Sequence, residues 1–223
     1  MGSYRQYCPI ARASEILAER WTPLLVRNLM LGAHNFNDLA RGVPAMSRSM
    51  LSKRLAELEG AGVIRSEPKA NGRGSTYELT AAGADLADVI DALGTWGERW
   101  VDVTTTHADP GFALWAWCQA QLDRPRLPDE RIVVAFTFPD EAVGNRYYWL
   151  LVEHGDAEVC YSDPGGMPDL HVQAESLAFV DWHRGTLSWS SACRQGRIEV
   201  RGSKRLARAL ATWNLHAPIA PRG

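Results

Sequence analysis

Between Arg41 and Arg73 the chain carries seven Lys or Arg (Arg41, Arg48, Lys53, Arg54, Arg65, Lys69, Arg73) against three acids (Glu57, Glu59, Glu67). Cations grouped in this way neutralise phosphates, Arg as a planar fork and Lys as a point charge. Arg48, Lys53 and Arg54 recur at helical spacing with Ser47 and Ser49, whereas Lys69 and Arg73 fall in a glycine-rich stretch, Pro68 to Gly74. Residues 83 to 109 have the opposite sign, six acids against Arg99. The net charge of −2 therefore hides a basic segment beside an acidic one, and the distribution predicts a polyanion partner, double-stranded DNA above all.

Other reactive side chains give less. Ser190 and Ser191 lie near His183 in sequence, but no GxSxG elbow accompanies them. Asp181-Trp182-His183 lacks metal-ligand spacing. Gly72-Arg73-Gly74 is too short to cradle a phosphate and reads as a turn. Four cysteines (Cys8, Cys118, Cys160, Cys193) stand far apart with no CxxC pair, which in a cytoplasmic chain argues against a disulfide scaffold and a zinc site. Cys8 directly precedes a helix, where the positive end of the dipole favours a thiolate, and is the candidate redox residue. The expectation is a protein that is not an enzyme and that uses no cofactor and no metal.

These side chains need elements to hold them. Ser47 is a helix N-cap candidate; Met50, Leu51, Leu55 and Leu58 form the stripe expected to be buried, and Arg48, Ser49, Ser52, Lys53 and Arg54 the opposite face. Gly60 and Gly62 stop that helix, and Val63-Ile64 and Ser75 to Leu79 make a hairpin with Lys69 and Arg73 at its tip. Upstream, the expected helices are Pro9 to about Arg20, Leu24 to Leu31 with Thr22 as cap and Pro23 at its first position, and Phe36 to Arg41. Downstream, Thr80 caps a long helix from Ala81 to about Thr104, whose apolar positions (Leu86, Val89, Ile90, Leu93, Trp96, Trp100) predict helix-against-helix dimerisation. No segment is long and apolar enough to span a bilayer, and the N-terminus lacks the apolar core of a signal peptide, so a cytoplasmic protein with no membrane partner is expected.

The segments CPIARASEILAERWTPLLVRNLMLG, FNDLARGVPAMSRSMLSKRLAELEGAGVI, YELTAAG and WGERW, in that order over roughly residues 7 to 102, resemble an HxlR-type regulator, a winged-helix family within the wider MarR-like group. The resemblance implies a DNA-binding transcriptional regulator, a homodimer, a recognition helix around Ser47 to Leu58, a wing at the glycine-rich tip, and in some members oxidant sensing by a cysteine at the place of Cys8. Two recognition helices one turn of DNA apart would read a palindromic operator. Ser47, Arg48, Ser49 and Lys53 are the expected base contacts, Arg54 a phosphate contact, and Lys69 and Arg73 the contacts of the wing. Repression is the expected sign.

Residues 103 to 110 form a linker between a domain at 1–107 and a second at 110–223. In the second, Phe112 to Leu122 reads as a helix, and strand patterns follow at Ile132 to Phe138, on both sides of His154-Gly155-Asp156-Ala157, at Asp169 to Ala174 and at Ile198 to Val200. Helical patterns cover Glu175 to Trp182, Leu187 to Arg194 and Lys204 to Leu215, so the fold class is α+β, a mostly antiparallel sheet covered by helices. Tyr148 to Val152, Asp163-Pro164-Gly165, Leu177 to Leu187, Gly196 to Val200 and Gly202 to Trp213 resemble the sterol-carrier-protein fold. That resemblance implies an apolar cavity and a hydrophobic small-molecule effector, with Phe136, Tyr148, Trp149, Phe179, Trp182 and Trp189 on the wall. A hydrophobic-ligand carrier dimerised by its winged helix, and a thiol sensor acting through Cys8, are the alternatives.

Overall fold

A computed structural model describes residues 3–69 and 74–215. The chain divides into two units, Met1–Gly97 and Glu98–Gly223. The first contains α1 (Pro9–Leu17), α2 (Thr22–Met30), α3 (Phe36–Arg41), α4 (Arg48–Gly60), the antiparallel hairpin β1 (Ile64–Pro68) and β2 (Ser75–Leu79), α5 (Ala81–Ala84) and most of α6 (Ala87–Trp100). Its core is aliphatic: Leu25, Val26, Leu29, Leu39, Val43, Leu51, Leu55, Leu58 and Ile64 are buried. Each such side chain contributes about 1.5–3 kcal/mol by leaving water.

Three expectations for this unit need correction. The helix of Pro9, expected to run to about Arg20, ends at Leu17. Thr22 is the first residue of α2 and not its cap; the cap position belongs to Trp21, which turns the chain in the left-handed conformation at φ 80°. The single helix expected after Thr80 is two. Thr80 does cap, its Oγ1 accepting from Gly83 N at 3.2 Å. Gly83 then sits so close to the hairpin that a Cβ there would lie 2.1 Å from the Val63 carbonyl oxygen. With that first turn held down, Leu86 N bonds back to Gly83 O in a tighter turn, and helix resumes at Ala87 to end at Trp100.

The second unit is built on a five-stranded sheet in the order β5-β4-β3-β6-β7, with β3 (Ile132–Thr137), β4 (Tyr147–Glu153), β5 (Asp156–Cys160), β6 (Leu170–Ala174) and β7 (Ile198–Gly202). β4 and β5 are joined through His154-Gly155, both at positive φ (54° and 71°), a two-residue turn that matches the twist of the strands. The sheet is mixed and not wholly antiparallel: β3 and β6 run parallel, because residues 161–169 carry the chain across to the far side of β3. Helices α7 (Pro110–Ala116, prolonged by a wider turn at Trp117–Gln121), α8 (Ser176–Arg184), α9 (Trp189–Arg194) and α10 (Lys204–Leu210) complete the unit. Asp140 holds the start of α8, accepting from Ser176 N at 2.9 Å and Ser176 Oγ at 3.1 Å. Cys118 is buried in this core and donates to Ala157 O; burial pushes its thiol up to about 12.

Candidate nucleic-acid interface

The segment α3–turn–α4 is fixed from below by α2. Asn28 is fully buried and donates through Nδ2 to Leu39 O at 3.3 Å. Arg27 donates to Asn28 Oδ1 at 2.7 Å and to Gly42 O at 3.0 Å, so one network joins α2, α3 and the turn. Gly42 has to be glycine here, since a Cβ would lie 2.3 Å from Asn28 Nδ2. Burial lowers the Arg27 guanidinium to about 10, which leaves it charged at neutral pH. The turn ends at Ser47, whose Oγ accepts from Met50 N at 3.3 Å and lies 3.2 Å from Ser49 Oγ.

At about 100° per residue, Leu51, Leu55 and Leu58 share one face of α4, and all three are buried. Ser49, Ser52, Lys53 and Ala56 are exposed on the other side, Lys53 with a side chain 76% accessible. Arg48 is exposed too, lies 4.7 Å over the Phe36 ring and donates to Asn37 Oδ1 at 2.9 Å. The structure thus brings Ser47, Arg48, Ser49 and Lys53 together on the exposed N-terminal half of one helix.

Two α4 residues are not where the sequence put them. Met50 is 46% exposed, because its place on the helix is turned away from the leucine stripe. Arg54 is inward: its side chain is only 12% accessible and pairs with Glu19 at 3.1 Å and Glu57 at 2.8 Å. It ties the segment after α1 to the middle of α4 and is not placed as a phosphate contact. Three further cations of the basic segment are also paired, Arg41 with Asp38 at 2.9 Å, Arg65 with Glu78 at 2.5 Å and, more loosely at 3.9 Å, Lys53 with Glu57. Sequence reasoning missed Asn37, an exposed amide at the start of α3 that touches Arg48. The signal for it was the Asn35 cap, whose Oδ1 accepts from Asn37 N and Asp38 N, both at 3.1 Å, and so sets the start of α3.

The hairpin is aligned to the helix by Glu59, whose carboxylate accepts from Ser66 N at 3.0 Å and Ser66 Oγ at 2.6 Å. On its other side Tyr77 N donates to His34 O at 2.8 Å. Burial, and then the nearby Glu59 charge, raise the Tyr77 phenol above its ordinary value, so it stays neutral. Lys69 N donates to Gly74 O at 3.0 Å, which places Lys69 at the base of the tip. Arg73 lies outside the described residues.

α6 presents the reverse pattern. None of its residues is buried, and Val89, Leu93, Trp96 and Trp100 are 50–64% exposed. Cys8 precedes α1 at its cap position, half-buried, with no side-chain capping bond.

The aromatic residues expected around a cavity do not share one wall. Phe136, Tyr148, Phe179 and Trp182 are buried in the core of the second unit. Their rings pack on neighbours, Phe136 to Phe179 at 5.6 Å, Phe179 to Trp182 at 5.2 Å and Trp182 to Trp189 at 4.7 Å. Trp149 follows Tyr148 in β4 and so faces the opposite side of the sheet. Among the described residues no group of His, Cys, Asp and Glu is arranged to hold a metal ion, and no described helix is long and apolar enough to cross a membrane.

Comparison with known proteins places the first unit. A family model described as HxlR-like helix-turn-helix matches residues 16–105. An uncharacterized HTH-type transcriptional regulator of Bacillus subtilis, YvaP, is 34% identical over 100 residues, which is 44% of this chain and 92% of the relative. An uncharacterized HTH-type transcriptional regulator of Mycobacterium tuberculosis, Rv3095, is 37% identical over 95 residues, covering 41% of this chain and 58% of that one. The crystal structure of PA1607, a putative transcription factor, is 27% identical and covers 44% of this chain and 69% of its own, with a TM-score of 0.42. The match to nearly the whole of the Bacillus relative, together with the helix–turn–helix built by Asn28, Gly42 and Ser47, shows that the chain belongs to the HxlR-like helix-turn-helix family.

Proposed function

We propose that the protein is a DNA-binding transcriptional regulator that acts as a homodimer on a two-fold symmetric operator. The observation that carries this reading is α4. It buries three leucines and holds Arg48, Ser49 and Lys53 outward beside a hairpin aligned by Glu59. A helix of this width fits the major groove, where Arg and Lys read guanine. Membership of the helix-turn-helix family supports the same reading. The exposed stripe of α6 supports the dimer, because monomers rarely leave so many large apolar side chains in water. Binding across a promoter would block transcription, so repression is the sign we assign.

Four of the rings expected to enclose an apolar effector, Phe136, Phe179, Trp182 and Trp189, pack on one another, and an effector entering there has to displace them. The winged helix is tested by selecting fragments of the host genome on the purified protein and footprinting those retained. Protection of two half-sites about one helical turn apart is expected. Uniform retention of all fragments, with no footprint, contradicts an operator-specific regulator.

A further inference from the structure

Among the cations between Arg41 and Arg65, Arg48 is held differently from the rest. Arg41, Lys53, Arg54 and Arg65 each stand against a carboxylate. Arg48 is held by neutral groups instead. Its guanidinium lies 4.7 Å over the Phe36 ring, and its Nη2 donates to Asn37 Oδ1 at 2.9 Å. A ring face and an amide oxygen fix the plane of the guanidinium without cancelling its charge. Asn37 is itself pinned, its backbone N donating to the Asn35 cap at 3.1 Å. Arg48 is the first residue of α4 and is exposed. The N-terminal residues of a recognition helix are those that meet base edges in the major groove.

We propose that Arg48 reads a guanine in each half-site and that Asn37, with Phe36, is the positioning residue that aims it. This inference rests on the DNA-binding reading above and names the base it recognises. Guanine offers O6 and N7 side by side, and an Arg fork meets both in a bidentate pair. The guanidinium has five N–H donors, of which Asn37 takes one, so a two-pronged edge remains for the base. The ring and the amide hold the side chain before DNA arrives, so less rotamer freedom is lost on binding. Contacts to phosphate carry no sequence information, and aiming of this kind matters most for a base edge. Lys53, a point charge beside Glu57, adds attraction with little base preference.

The test is selection of duplexes from a random-sequence DNA library by the full chain as wild type, Arg48→Ala, Asn37→Ala and Lys53→Ala, with the recovered sites sequenced. Wild-type sites should carry a guanine at one fixed place in each half-site, preferred about tenfold over other bases. Arg48→Ala should level that position. Asn37→Ala should reduce the preference there about threefold, with thermal unfolding unchanged because Asn37 is exposed. Lys53→Ala should weaken binding and keep the preference. Placing 7-deazaguanine at that position removes N7; it should weaken the wild type about fivefold and leave Arg48→Ala unaffected. Enriched sites without such a guanine, or a guanine preference that survives in Arg48→Ala, overturn the assignment of Arg48 while the DNA-binding reading stands. An unchanged preference in Asn37→Ala overturns the positioning role. A library recovered with no enrichment overturns this inference and the DNA-binding reading together.

Discussion

Helices α4 and α6 have similar length and each carries an apolar stripe, yet α4 buries its stripe and α6, with no buried residue, leaves its own in water. α4 turns Leu51, Leu55 and Leu58 inward and offers Ser49, Ser52 and Lys53 to solvent. α6 leaves Val89, Leu93, Trp96 and Trp100 exposed. A polar face held outward on a buried stripe suits a charged, hydrogen-bonding partner such as a DNA groove. An apolar face held outward suits a second copy of the same face. Amphipathicity alone does not say which face is functional; burial decides it.

The contrast can be broken most severely at α6. Leu93→Glu with Trp96→Glu should convert the proposed dimer to a monomer in analytical ultracentrifugation. Operator affinity should fall by about 100-fold or more, since two half-sites then no longer act together. A double variant that stays dimeric would assign the α6 stripe to something else. Arg54→Ala comes next. It leaves Glu19 without this partner, and Glu57 with Lys53 alone at 3.9 Å, in a site only 12% accessible on the Arg side, and should cost about 2 kcal/mol in urea unfolding. Its DNA affinity, measured below the unfolding transition, should change much less than that of Lys53→Ala. Lys53→Ala should weaken operator binding about tenfold, equivalent to 1.4 kcal/mol, with unfolding unaffected. Only a small effect on stability is expected at Met50. Met50→Ala should shift unfolding by less than about 0.5 kcal/mol, whereas Leu55→Ala on the buried stripe should cost about 2–5 kcal/mol.

The second unit offers a parallel contrast between thiols. Cys193 is exposed and Cys118 is buried with its thiol pushed up to about 12. Iodoacetamide at pH 8 should modify Cys193 in the native protein and Cys118 only after denaturation, read by peptide mass spectrometry. For Cys118 the folded value is raised, so its contribution to stability is complete below the ordinary thiol range and is lost as pH climbs toward 12.

Much of this could be read from the residues. The Ser47 cap, the leucine stripe, the hairpin and the strands of the second unit follow from local signals: a capping hydroxyl, a 3.6-residue period, glycines at positive φ and β-branched runs. What the sequence hid depends on distant neighbours. Arg54 looks like a surface cation until Glu19, thirty-five positions earlier, is packed beside it. Leu86 continues the helical pattern of α6, but the close approach of Gly83 to Val63 interrupts it. Tyr148 and Trp149 are both large and aromatic, so a strand with apolar side chains on both faces conceals which one enters the core.

The most direct test of the central claim is the salt dependence of operator binding, by fluorescence anisotropy, for the wild-type protein and for Lys53→Ala. The logarithm of affinity should fall steeply and linearly with the logarithm of salt concentration, and the variant's slope should be shallower by about 1 for each lost phosphate or base-edge cation in a half-site. A flat salt response, or a Lys53→Ala line that superimposes on the wild type, would contradict the assignment of α4 as the DNA-reading helix.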